Sequence, residues 1–146
     1  MDIKIRPAQL SDVECIFTIR TSVAENHLSR EEMQEMGITE STVSNMIKES
    51  RCAWVATDDD KAVGFSMILR EKGSLFGLFV LPDYEGRGIG RRLTEIAEQA
   101  LFKHHEVAWL ETDRNSHAAK FYLHLGWGNM TTLDGAYIRL EKQRGS

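Results

Sequence analysis

With 146 residues, 42% of them hydrophobic and 27% charged, the chain has the composition of an ordinary folded domain, not of a disordered tail or a collagen-like repeat. Its net charge of -4 argues against a general affinity for nucleic acid, and no apolar run reaches the ~18 residues of a membrane span. These features predict one cytoplasmic domain over residues 1–146 that needs no disulfide or metal staple, with Cys15 and Cys52 as small core residues of a reducing compartment.

Ile3 and Ile5 alternate with polar residues until Arg6-Pro7 stops the segment, which reads as a short strand. Ser11 and Glu14 have capping-box spacing and open a helix with Val13, Ile16 and Phe17 on one face. A second box, Ser29 with Glu32, begins a short helix that carries Met33 and Met36 and ends at Gly37. Val43, Met46 and Ile47 form another helical stripe. Between residues 21 and 50, six acidic side chains stand against two basic ones, which is the whole charge imbalance of the chain.

The pattern changes at Cys52. A short apolar run at 53–56, an alternating run with Val63, Phe65, Met67 and Leu69, and a buried run at 75–80 read as an antiparallel meander. Leu93, Ile96, Ala97, Ala100 and Leu101 form one continuous stripe of a long helix. A strand follows at 107–110, and Asn115 opens a helix with Ala118, Phe121, Tyr122 and Leu125 inward and Gly126 at its end. Asp134-Gly135 turns a hairpin between strands at 127–132 and 136–140. The crossover from 75–80 through the long helix to 107–110 requires a parallel pair inside a mixed sheet, so the class is α+β.

Chemistry concentrates in residues 78–93, where a buried strand runs into Gly86, Gly88 and Gly90 and then into the long helix. Such a turn, with the free N–H groups of a helix N-terminus, makes a concave cluster of donors for an anion. Arg87, Arg91 and Arg92 add positive charge at a helix end whose dipole disfavours cations, which points to a bound polyanion. The dinucleotide fingerprint fails because its third glycine would fall on Arg91, and no Gly-Lys-Ser or Gly-Lys-Thr follows as in a P-loop. Gly77, inside the preceding strand, marks a bulge or a close backbone approach. His104, His105, His117 and His124 lack metal-ligand spacing with supporting ligands, so no metal site is expected.

The run 78–93 together with the later run 115–127 resembles the GNAT superfamily of acyl-CoA N-acyltransferases. That family carries Gln/Arg-x-x-Gly-x-Gly/Ala in its turn; Gly88 and Gly90 hold the two small positions, whereas Glu85 departs from the usual Gln or Arg. The resemblance implies a mostly antiparallel sheet of about seven strands, helices on both faces, and a parallel pair that splays near Gly77. It implies acetyl-CoA as cosubstrate without a metal, with the pantetheine arm against the backbone of Phe79 and Val80. The diphosphate is expected on the N–H groups of Glu85, Gly86, Arg87, Gly88, Ile89, Gly90 and Arg91, with Asn115 bonded to pantetheine and Phe121 lining the channel.

The same resemblance makes Tyr122 the acid that assists the departing thiolate; on its spacing alone Tyr122 reads equally as a core aromatic. For the general base, Glu111, Asp113, Glu25 and His27 are candidates, each also readable as a solvated surface group. The acidic stretch either attracts a cationic acceptor or merely coats helices with charged outer faces. The resulting expectation is an acetyl-CoA-dependent N-acetyltransferase acting by direct attack on a small-molecule or protein amine, possible as a homodimer. The alternative is a non-catalytic acyl-CoA-binding regulatory module.

Overall fold

The computed structural model describes residues 2–22 and 28–145. Among them the strands are β1 (Ile3–Pro7), β2 (Ala53–Asp58), β3 (Lys61–Leu69), β4 (Ser74–Val80), β5 (Val107–Asp113), β6 (Gly128–Asp134) and β7 (Tyr137–Gln143). The helices are α1 (Val13–Ser22), α2 (Arg30–Glu35), α3 (Glu40–Glu49), α4 (Ile89–Phe102) and α5 (His117–His124). The strands form one sheet in the order β1-β2-β3-β4-β5-β7-β6, antiparallel throughout except for the parallel β4–β5 pair. The α+β class and the crossover through α4 agree with the sequence reading.

Alternation along β3 assigns the two faces. A Cβ on Gly64 would meet the Leu93 side chain at 3.2 Å, so Gly64 and Ser66 face α4, and the Ser66 hydroxyl donates to the Leu93 carbonyl at 3.1 Å. Phe65 and Met67 point the other way, toward α1. Val55, Val63, Ile68, Leu93, Ile138 and Leu140 are fully buried between these layers. Each large apolar side chain so buried contributes about 1.5–3 kcal/mol. A part-buried ion pair ties the far side together: Lys142 Nζ reaches Glu98 at 3.0 Å and the Leu125 carbonyl at 2.9 Å, while Trp127 Nε1 donates to Glu98 at 3.0 Å.

The β4–β5 pair is the irregular place in the sheet. Ser74 opposite Trp109 is its only registered pair among the described residues. Between β3 and β4 the register shifts, Met67 facing Gly77 and Ile68 facing Leu75, so Phe76 is the extra residue of a bulge. β4 and β5 thus start together and fork, as the resemblance implied, and the bulge lies next to the interior Gly77.

Several local expectations need correction. Ser11 does not cap α1. A 3-10 turn at Leu10–Asp12 precedes the helix, and the buried Asp12 carboxylate accepts from the Gln9 N–H at 2.7 Å and from both terminal nitrogens of Arg6, at 2.8 and 3.0 Å. The turn is entered through Gln9, its N-cap, and Asp12 is the box residue three positions on, so the chain begins to coil before Ser11. Cys15 is exposed on α1 and only Cys52 is buried. β5 continues to Asp113, and Ser116, not Asn115, caps α5 by accepting from the Ala119 N–H at 3.1 Å. The Ser29–Glu32 box closes as read, with both reciprocal bonds at 3.1 Å.

Candidate active site

β4 leaves the sheet through Leu81 and the 3-10 turn Pro82–Tyr84, and α4 begins seven residues after Pro82, at Ile89. Gly86 and Gly88 between them have φ of +76° and +80°, the left-handed region that disfavours a Cβ. Nothing lies within 4 Å of where a Cβ would stand on either, so both open onto free space. The first helical bond of α4 runs from the Arg92 N–H to the Gly88 carbonyl at 3.2 Å. The N–H groups of Ile89, Gly90 and Arg91 therefore have no partner within the helix. No acidic side chain stands in that first turn, and the positive end of the helix dipole faces the same space.

Three features of this turn were not legible in the sequence. The Glu85 N–H already donates to the Pro82 carbonyl at 3.3 Å, so the donor cluster begins at Gly86. The Arg92 side chain turns back to donate to the Ile3 carbonyl at 2.9 Å, away from the cluster. Tyr84 braces the turn against β2: its hydroxyl donates to Asp58 at 2.7 Å, and the Arg87 guanidinium lies 5.4 Å from its ring. Arg91 is exposed and lies 3.8 Å from Glu95. On the inner side, a Cβ on Gly90 would stand 3.5 Å from the Phe121 ring, so this glycine lets α5 approach the start of α4.

Strand alternation decides which backbone groups face the fork. The Leu81 N–H donates to the Val63 carbonyl at 2.8 Å, toward β3. Phe79 turns the same way, and the main-chain groups of Leu78 and Val80 face the gap left by β5. Phe79 was expected to offer its backbone there; it offers its ring instead, on the α1 side of the sheet beside Phe65, 5.7 Å between centroids.

The fork opens into a cavity of about 400 Å³. Ile16 and Phe17 of α1, Met33 of α2 and Val43 of α3 make its apolar outer wall, and Phe65 and Met67 its floor. Tyr122 lines the cavity from α5. It is 7% exposed and packs edge-on against Phe121 and Trp127, at 5.4 and 6.1 Å between centroids. Burial pushes its phenol pKa well above the ordinary value, so the hydroxyl keeps its proton at any working pH. The core and cavity readings of Tyr122 thus describe one placement.

The structure separates the candidate bases. Glu111 lines the cavity and lies 3.3 Å from Arg139, whose guanidinium stacks on Trp109 at 4.1 Å. Asp113 instead accepts from the Asn115 N–H at 2.8 Å and shapes the turn before α5, leaving Asn115 exposed there. Glu25 and His27 lie outside the described residues. In the acidic stretch, Glu31, Glu32, Glu35, Glu40 and Glu49 are exposed, while Leu28, Met33, Met36, Ile38 and Val43 line the cavity. Met46 packs on the core without lining the cavity. Among the described residues no cluster of three His, Cys, Asp or Glu side chains suits a metal ion, and no helix is long and apolar enough to cross a membrane.

The acetyltransferase (GNAT) domain profile matches residues 49–128, which include the meander, the glycine turn and α5. The peptidyl-lysine N-acetyltransferase YjaB of Salmonella typhimurium is 34% identical over 131 residues, covering 87% of this chain and 84% of that protein. The chain belongs to the GNAT acetyltransferase family. An uncharacterized N-acetyltransferase of Archaeoglobus fulgidus is 43% identical over 79 residues, a match that spans 47% of this chain and about half, 54%, of that protein. Among solved structures, the PaiA N-acetyltransferase of Thermoplasma acidophilum in complex with coenzyme A has the same fold, with a TM-score of 0.78 at 21% identity over 98% of this chain and 99% of that one. The GNAT assignment agrees with the resemblance read from residues 78–93 and 115–127.

Proposed function

We propose that this chain transfers an acetyl group from acetyl-CoA to an amine by direct attack, without an acyl-enzyme stage. One observation carries the reading: two open left-handed glycines lead into an α4 N-terminus with unpartnered N–H groups, beside a fork where β4 and β5 share one registered pair. A phosphate-bearing thioester with a thin extended arm fits both parts, because anions suit helix N-termini and an extended amide chain pairs with a free strand edge. Acetyl-CoA supplies the activated acetyl thioester.

The N–H groups of 86–91 hold the diphosphate, and the gap-facing backbone of Leu78 and Val80 orients the arm. Phe121, against Gly90, walls the channel. Tyr122 donates from its buried hydroxyl to the leaving sulfur, whose thiol resembles cysteine at about 8.5, and recovers a proton from the amine nitrogen as the amide forms. The amine enters from the α1–α3 side. An alkylammonium of pKa ~10.4 must lose a proton before it attacks, and in this reading Glu111, a carboxylate on the cavity wall, takes it. Holding both reactants in one small apolar cavity lowers the barrier through proximity.

A thiol-release assay with acetyl-CoA and a panel of amines tests this. Release that depends on the amine, and falls when Tyr122 is replaced by Phe, supports it. Coenzyme A binding with no release on any amine would make the chain a non-catalytic acyl-CoA-binding module instead.

A further inference from the structure

The cavity carries a cation that no described residue neutralises. Arg20 follows Ile16 and Phe17 on the inner face of α1 and lines the cavity with them. Its guanidinium lies 4.2 Å from the centre of the Phe79 ring, on the fork strand itself. Its Nη1 atom is buried and has no hydrogen-bond partner among the described residues. The other described arginines with a buried unpartnered atom differ, since Arg139 reaches Glu111 at 3.3 Å and Arg70 donates to the Arg51 carbonyl at 2.6 Å. Glu111, the carboxylate that shares the cavity, is thus paired with Arg139.

Burying a charge without a hydrogen-bonded counter-charge is costly. The ring of Phe79 offsets only part of that cost, because a cation over an aromatic face gains little beside what a carboxylate gives. Desolvation lowers the Arg20 pKa from its ordinary value, and the Tyr137 phenol is the other polar group that acts on it. Apart from Glu111 and Thr112, the rest of the wall is aliphatic, sulfur-bearing or aromatic.

We infer that the acceptor is an apolar amino acid, its carboxylate bound by Arg20, its amine at the fork, and its side chain against the wall of Ile16, Phe17, Met33 and Val43. This rests on the acetyltransferase reading and narrows its substrate class. The zwitterion matches the two charged groups of the cavity, the ammonium toward Glu111 and the carboxylate toward Arg20. A planar guanidinium suits a carboxylate because it donates two parallel hydrogen bonds. A simple apolar amine would leave the half-buried Arg20 with no carboxylate among the described residues, and sites built to pair with a group reject analogues that lack it.

The test compares leucine and phenylalanine with their decarboxylated amines, 3-methylbutylamine and 2-phenylethylamine, and with a lysine-containing peptide, using the full chain and acetyl-CoA. Each amino acid should exceed its decarboxylated partner in kcat/KM by about tenfold or more. Arg20→Met should abolish that ratio, and Arg20→Lys should restore part of it. A titration of leucine into protein saturated with coenzyme A reads the same contact without turnover, and Arg20→Met should remove its heat. Equal rates for acid and amine, an unchanged ratio in Arg20→Met, or a peptide preferred over every free amino acid would overturn the inference and leave the acetyltransferase reading standing. No thiol release on any acceptor would overturn both.

Discussion

The two halves of the candidate site are built from different material. The half assigned to the coenzyme is main chain: Gly86, Gly88 and the first N–H groups of α4 come from one short segment, and their conformation follows from residues adjacent in sequence. The acceptor half is side chain, assembled from α1, α2, α3, β3, β4, β5, α5 and β7, elements far apart along the chain. A main-chain site tolerates changes of side chain so long as the backbone path survives. A side-chain site changes with each substitution, so the first half suits a constant ligand and the second a variable one.

The largest expected effect breaks the main-chain half. Gly88→Glu forces a Cβ into φ +80° and brings a carboxylate to the anion cluster. Lost charge-assisted bonds, strain and repulsion together should cost about 4 kcal/mol, or about a thousandfold in coenzyme A affinity by calorimetry. Wild-type affinity in that variant would remove the cradle. Next is Tyr122→Phe, which keeps the ring and deletes the proton donor. It should lower kcat about a hundredfold and leave coenzyme A affinity unchanged, provided chemistry limits turnover. An unchanged kcat would return Tyr122 to a purely structural role.

The third prediction concerns the support of the acceptor half. Burial of Asp12 raises its pKa, but the Arg6 bonds, the Gln9 N–H and the Arg6 charge outweigh this and hold it below the ordinary carboxyl value. A depressed folded pKa gives stability that is present above the unfolded value near 3.9 and is lost as pH falls through the lower folded value. Asp12→Asn should cost about 2 kcal/mol at neutral pH and flatten the acid limb of the unfolding curve. The smallest effect is Arg91→Ala. Its exposed charge is screened, so coenzyme A affinity should fall only a few-fold, by less than about 1 kcal/mol, and should do so less at high salt. A loss near that of Gly88→Glu would mean that side chains, not backbone, hold the diphosphate.

The contrast also explains how much was legible in the sequence. Residues 78–93 announce the turn because glycine placement is a local requirement, and the stripe from Leu93 to Leu101 announces α4 for the same reason. The bulge was marked by Gly77, though the extra residue is Phe76. Contacts across the fold were beyond reach. Ser11 loses the cap because the chain coils from Gln9, where Asp12 closes the box while Arg6, a residue of β1, holds its carboxylate. Arg92 leaves the anion cluster because the Ile3 carbonyl lies within reach. Arg20 carried a signal that went unused: it is three residues past Phe17 and four past Ile16, on the apolar stripe of α1, where a solvated arginine would not be expected. What it meets there, the Phe79 ring, depends on a strand far along the chain.

The central claim is that the backbone amides before and within the first turn of α4 grip the diphosphate of coenzyme A. Calorimetric titration of the full chain with coenzyme A, and in parallel with pantetheine, which has the same arm without the nucleotide diphosphate, tests it directly. Coenzyme A should give a saturable heat, and pantetheine should bind about a hundredfold or more weaker. Equal affinities for the two, or no heat with coenzyme A, would contradict it.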